Sequence, residues 1–236
     1  MDAHSSRETF DRRLQTLLDE VLVLGSMAEQ AVFASVQALK QRDLEASRRI
    51  FKDDLKINER RYKIENSVLV LIATQQPMAR DLRFLAAVLE IITELERIGD
   101  YAKGISKINL LIGEEAEIKL IPEIPQMSEL ATGMLHRALT ALVSRDVEIA
   151  RQIPDEDDAI DELYHKALHE LVELMVASPT IVFQANYLLW AAHNLERVGD
   201  RVTNICERIV FAATGEMMEM DRPLDPDDIK AGHTSV

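Results

Sequence analysis

A chain of 236 residues that is 47% apolar, with only 8 glycines and 7 prolines, holds material for one large or two modest helical cores. Its formal net charge of −14 excludes a general nucleic-acid binder, whose phosphate contacts need clustered Lys and Arg; acidity on this scale otherwise serves solubility. Apolar runs of about five residues fall far short of the roughly 20 that span a bilayer, the start lacks a signal peptide's basic and apolar regions, and the single Cys206 excludes an intrachain disulfide, so a soluble cytoplasmic protein is expected.

The apolar spacing predicts six helices, three per half: roughly 6–41, 43–74 and 78–112, then 125–143, 145–177 and 179–214. Arg42-Asp43 and Arg145-Asp146, 103 positions apart, read as matching N-caps between the first and second helices of each half. In the second helix Ile50, Ile57, Ile64 and Leu71 recur every seven residues, and Ile153, Ile160, Ala167 and Leu174 do the same 103 positions on. In the third, Phe84, Val88, Ile91, Leu95, Ile98, Ala102 and Ile105 form a bundle seam. Leu188, Ala191, Leu195, Val198, Val202 and Ile205 repeat that seam at an offset of 100, broken only by Gln184. The offset falls from 103 to 100 between the second and third helices, where a loop absorbs the deletion. The expected fold is all-α, a tandem duplication of a three-helix bundle. Its parts are a first repeat over 1–112, an acidic, proline-bearing linker over 113–124, a second repeat over 125–214 and a disordered acidic tail over 215–236.

The duplication is plainest in one stretch. Glu94-Leu95-Glu96-Arg97-Ile98-Gly99-Asp100 returns as Asn194-Leu195-Glu196-Arg197-Val198-Gly199-Asp200. Glu96 and Asp100, four apart, share a helical face, as do Glu196 and Asp200. That face turns well over a right angle from the Leu95/Ile98/Ala102 seam, towards solvent or a neighbouring helix. Like charges at this spacing destabilise a helix by a few tenths of a kcal/mol, which calls for a partner. Arg97 and Arg197 are one candidate, as weak surface pairs. A metal ion is the other, because oxygen-rich faces bind hard cations when a second helix adds carboxylates. The second helices offer Asp54 with Asn58, and Asp157 with Asp161. Gly99 and Gly199, each about 1 kcal/mol worse than Ala inside a helix, point to close backbone approach.

Glu96-Arg97-x-Gly99-Asp100 and Glu196-Arg197-x-Gly199-Asp200-x-x-x-Asn204, once per three-helix repeat, resemble the PhoU family of phosphate-signalling regulators, as does Pro77-Met78-Ala79-Arg80-Asp81-Leu82-Arg83. The resemblance covers about residues 10–212. It implies a cytoplasmic, often dimeric protein of two similar three-helix bundles, whose acidic motifs bind iron, zinc, magnesium or manganese. It also implies repression of the phosphate-starvation response, between the phosphate transporter's ATPase subunit PstB and the sensor histidine kinase PhoR. The residues this assigns to metal are Glu96, Asp100, Asp54 and Asn58 in the first half, and Glu196, Asp200, Asn204, Asp157 and Asp161 in the second. Gly104 stands in the first half where the pattern has Asn, and Asn58 where the second half has Asp161. The second-half site is therefore expected to bind metal more tightly.

Other features of the chain bear on this reading. His193 lies three residues before Glu196, as an extra ligand or as a solvated or packed side chain. Asp161, His165 and His169 step by four, and Glu162 with His165 has the Glu-x-x-His form of di-iron bundles, but no second such motif exists in the chain. An iron-handling or oxidase bundle is the rival function; catalytic oxygen consumption with ferrous iron distinguishes it. No nucleophile elbow or phosphate loop supports a hydrolase or transferase, so no enzyme is expected. Cys206 reads as a buried structural thiol. Trp190 with Met217, Met218 and Met220 is a partner surface or ordinary filling. Arg80 and Arg83 are candidates for holding a phosphate or a partner's carboxylate, or plain surface charge.

Overall fold

A computed structural model describes residues 3–114 and 118–220 of the chain, with side chains from Arg7 onward. The first half comprises α1 (Ala3–Gln41), α2 (Leu44–Gln75) and α3 (Ala79–Ile112). The second comprises α4 (Glu123–Ser144), α5 (Val147–Gln152), α6 (Asp157–Ala177) and α7 (Val182–Thr214). No strand occurs among the described residues. The helix expected unbroken over 145–177 is split into α5 and α6 by a 3-10 turn at Ile153–Glu156. Pro154 explains the break: it has no N–H to donate, and its ring would press on the carbonyl four residues back.

The paired Arg-Asp turns are built alike. Arg42 and Arg145 adopt the left-handed conformation, with φ of 56° and 55°. The amides of Asp43 and Asp146 then reach back to the carbonyls of Ala38 (2.9 Å) and Ala141 (3.0 Å), which closes the preceding helix. Each Asp caps the next helix, Asp43 Oδ1 accepting from Ala46 N at 2.8 Å and Asp146 Oδ1 from Ile149 N at 3.1 Å. Both arginines reach across the molecule. Arg42 Nη2 donates to the linker carbonyl of Ile118 (2.9 Å), and the Arg145 guanidinium lies 5.5 Å from the ring centre of Phe84.

Asn109 adds a buried polar tie to the first of these turns. Its Nδ2 donates to Ala38 O, Asp43 O and Ser47 Oγ at 3.1, 3.3 and 2.9 Å. The second half has Ile209 and Ala150 at the positions of Asn109 and Ser47, so the same corner is filled apolarly there. Asn109→Leu should cost about 1–2 kcal/mol by stranding the Ser47 hydroxyl, with some relief because Asn109 Oδ1 has no donor now. Adding Ser47→Ala should recover part of the loss in urea melts. A neutral single mutant would show that the tie contributes nothing.

The halves meet along α3 and α7, which run antiparallel. Glu90 pairs with Arg208 (3.0 Å), Glu94 with Asn204 (3.5 Å), and Tyr101 accepts from Arg197. This register sets Gly99 opposite Gly199, on a pseudo-twofold between the repeats. Helix α1 also packs on α4, while α2 and α6 lie outside, each against its own half. The buried apolar side chains form one continuous cluster through both halves. By length and composition α1 is apolar enough to cross a membrane. Here Val21, Leu24, Ala28, Val32, Val36 and Leu39 turn that apolarity into the core.

The linker is more than an acidic hinge. Ile118 and Ile121 are buried, and Ile118 N–H donates to Gln184 Oε1 at 3.2 Å. Gln184, the one break in the α7 seam, thus anchors the connection. Glu115, Ala116 and Glu117 lie outside the described residues. Helix α4 begins at Glu123, two residues before the expected start, since Pro125 is tolerated in a first turn whose N–H groups are unpaired anyway. Beyond Gly215 (φ +85°) the chain leaves the helix and lies back on α7, with Met220 N–H donating to Glu207 Oε1 at 2.8 Å. The rest of the expected tail, 221–236, lies outside the described residues.

Candidate carboxylate sites on paired helices

Close approach at the two glycines sets both sites. A β-carbon at Gly99 would stand 2.9 Å from Ile57 Cδ1, so α2 lies directly on α3 there. A β-carbon at Gly199 would overlap Asp157 Oδ1 and approach Ile160 Cδ1 to 3.1 Å. Asp54 and Asp157 are thereby brought beside the Glu-x-x-x-Asp faces of α3 and α7.

In the first half Asp54 is only 3% exposed. Its Oδ2 accepts from Lys103 Nζ at 2.7 Å and from Asn58 Nδ2 at 3.4 Å, while Oδ1 is buried without a hydrogen bond. Lys103 Nζ also lies 3.5 Å from Asp100 Oδ1. Glu96 is half-buried. Burial, then Asp100, push its carboxyl above the ordinary range, and the nearby Arg61 guanidinium opposes them. Lys103 is held above the usual lysine range, chiefly by its hydrogen bond to Asp54.

In the second half the carboxylate face turns to a neighbouring helix and not to solvent. Glu196 is 6% exposed, with Oε2 buried 3.3 Å from His193 Nδ1 but in no well-formed hydrogen bond. A single-helix projection knows one seam, whereas α7 packs on α3, α4 and α6 together, so most of its circumference is covered. Burial, then Asp200 and Asp161, raise the Glu196 carboxyl to about 8. Arg197 Nη1 lies 3.2 Å from Asp200 Oδ2.

The remaining predicted residues divide. Asn204 is drawn to the seam between the halves, where its Nδ2 and Arg201 Nη1 approach Glu94 Oε2 at 3.5 and 3.3 Å. At the symmetry-related end a β-carbon on Gly104 would stand 3.1 Å from Asn194 Nδ2, so the lost Asn at 104 makes room for Asn194. Arg80 lines a cavity of about 130 Å³ with Asp81, Phe84 and Arg145, while Arg83 packs under Gly215; the two do not form one site. Glu162 is exposed and pairs with Lys166, and His165 Nδ1 lies against its own helix at Asp161 O (2.8 Å). Cys206 is buried, and burial pushes its thiol up to about 12, as suits an inert core residue.

Sequence reading missed Lys103, Arg61, Tyr164 and Thr203. The offsets of 100 and 103 held the signal, since they align Lys103 with Thr203 and Arg61 with Tyr164. Among the described residues no three His, Cys, Asp or Glu side chains close into a ready cage. The second-half donors are nonetheless of the right chemistry for a hard cation: four carboxylates from two helices, one of them buried, with its carboxyl raised by that burial and then by Asp200 and Asp161.

Fold and paired acidic faces define a duplicated helical bundle with a carboxylate site in each repeat, and the family model described as PhoU domain matches over residues 21–108 and 124–209. The chain belongs to the PhoU family. It is 35% identical over 217 residues to the "phosphate-specific transport system accessory protein PhoU homolog" of Clostridium acetobutylicum, covering 92% of this chain and 99% of that protein. The protein of the same name from Rhizobium meliloti is also 35% identical, with 92% of each chain covered. The crystal structure of PhoU from Pseudomonas aeruginosa superposes with a TM-score of 0.83 at 28% identity, covering 88% of this chain and 100% of that one. The phosphate transport system regulatory protein PhoU from Streptococcus pneumoniae gives 0.82 at 31% identity, covering 89% and 99%.

Proposed function

We propose that the chain is a non-enzymatic cytoplasmic regulator of phosphate uptake. It damps a phosphate ABC transporter through its PstB-type ATPase, and a PhoR-type sensor kinase, by protein contacts made as a homodimer. The observation that carries this reading is membership in the PhoU family over both repeats, with relatives named as accessory proteins of a phosphate-specific transport system. The carboxylate pairs support a metal-assisted version of it. Glu196, Asp200, Asp157 and Asp161 would hold the ion, of the iron, zinc, magnesium or manganese class. A bound ion would add positive charge beside these carboxylates, where Arg197 already pairs with Asp200, and would tie α6 to α7. Gly199 lets Asp157 approach α7, and the α6 cover excludes bulk water from Glu196.

The test is complementation of a strain deleted for this gene. With wild type restored, a phosphate-starvation reporter should be silent in high phosphate. With Glu196→Ala/Asp200→Ala it should stay on, at wild-type protein levels. Full repression by the double mutant would remove the carboxylates from the mechanism.

A further inference from the structure

The two sites differ in what faces their carboxylates. In the first half Lys103 Nζ bridges Asp54 and Asp100, and Arg61, whose Nη1 lies 3.4 Å from Glu65, acts electrostatically on Glu96. The matching positions of the second half hold Thr203 and Tyr164, which are neutral, and Asn58 gives way to Asp161. Two cations at these positions thus stand beside three carboxylates on α2–α3, whereas the four on α6–α7 have neutral residues there, with Arg197 3.2 Å from Asp200 and Arg201 acting on Glu196. Arg97 holds the sequence position that matches Arg197 and acts electrostatically on Glu96. Arg201, the other cation near Glu196, is engaged with Glu94 on α3.

We propose that Lys103, helped by Arg61, is the built-in cation of the first half. That half is assembled without metal and takes none, and metal binding is confined to α6–α7. A buried carboxylate such as Asp54 needs a charge partner, and an ammonium 2.7 Å away already provides it. The same ammonium fills the space an ion would need and repels a divalent cation at short range. Asp54 Oδ1, buried without a hydrogen bond, marks the oxygen an ion would use were Lys103 absent.

The inference rests on the metal reading above, and the experiment separates the two. Full-length protein is stripped with chelator and titrated with Mn²⁺, measuring bound metal per chain and the melting temperature. Wild type should bind Mn²⁺, and Glu96→Gln/Asp100→Asn should leave the amount unchanged. Lys103→Thr should melt lower than wild type in chelator, gain additional Mn²⁺, and recover stability as it does so; Lys103→Arg should gain none. Loss of Mn²⁺ in Glu96→Gln/Asp100→Asn overturns the proposal, and this arm holds even if Lys103→Thr does not fold. A folded Lys103→Thr without added Mn²⁺ overturns it as well. If wild type binds no Mn²⁺, the metal reading of the second half fails; the Lys103 proposal then stands only if Lys103→Thr creates a site.

Discussion

Stripped of metal, the protein should lose thermal stability as pH rises from about 5 to about 8, and Glu196→Gln should remove most of that loss. Burial under α6 is the largest cause of the raised Glu196 pKa of about 8, followed by Asp200 on its own helix and Asp161 on α6. Arg197 and Arg201 pull the other way. His193 is itself held below its ordinary value by burial and Arg197, and Tyr164 is pushed up by burial and Glu196. The folded pKa thus lies above the unfolded one, so the folded chain binds the extra proton. Its stabilisation is fully present below the ordinary carboxyl value of 4.5 and is lost as pH climbs through about 8. Within that window each pH unit is worth about 1.4 kcal/mol, so the effect reaches a few kcal/mol. The readout is the melting temperature against pH in chelator, taken as wild type minus variant. Glu96→Gln should flatten the curve less, because Glu96 is more exposed and Arg61 opposes its shift. Parallel curves for wild type and Glu196→Gln would sink the prediction.

Leu195→Ala should destabilise the whole chain by about 2–5 kcal/mol, in one transition. Leu195 is fully buried in the seam of α7, and its repeat mate Leu95 is equally buried in α3. Because a single apolar cluster runs through both halves, a cavity made in α7 loosens the support of α3 and, through α4, of α1. Leu95→Ala should therefore shift the same transition by a similar amount. Calorimetry decides: two transitions, with only one moved by each mutation, would mean that the repeats are independent folding units.

Most of the fold was legible because the seams of α3 and α7 repeat at helical period and again at a fixed offset. The Arg-Asp turns were legible for the same reason, although that the arginines themselves sit in the left-handed region was not. The break at Pro154 went unseen because Ile153 and Ile160 keep their seven-residue phase across the short 3-10 turn. The carboxylate pairs on α3 and α7 were found from spacing, and their α2 and α6 counterparts from the second offset. Three things depended on packing between helices, which one helix's pattern does not contain. These are the burial of Glu196, the bridge made by Lys103, and the placement of Asn204 at the α3–α7 seam. The last also changes the meaning of Gly104, whose missing side chain accommodates Asn194 on the opposite helix.

That seam has a further consequence. Two identical subunits around a true twofold would present the same contacts at both ends. Here one end carries the ion pair of Glu94 and Arg201 with Asn204 beside it, and the other carries neutral Asn194 over Gly104. Joining the copies in one chain has given a near-symmetric object a head and a tail. A partner that recognises either end has one place to sit and one direction to face, so it should load once per chain, where a symmetric pair would offer two equivalent berths.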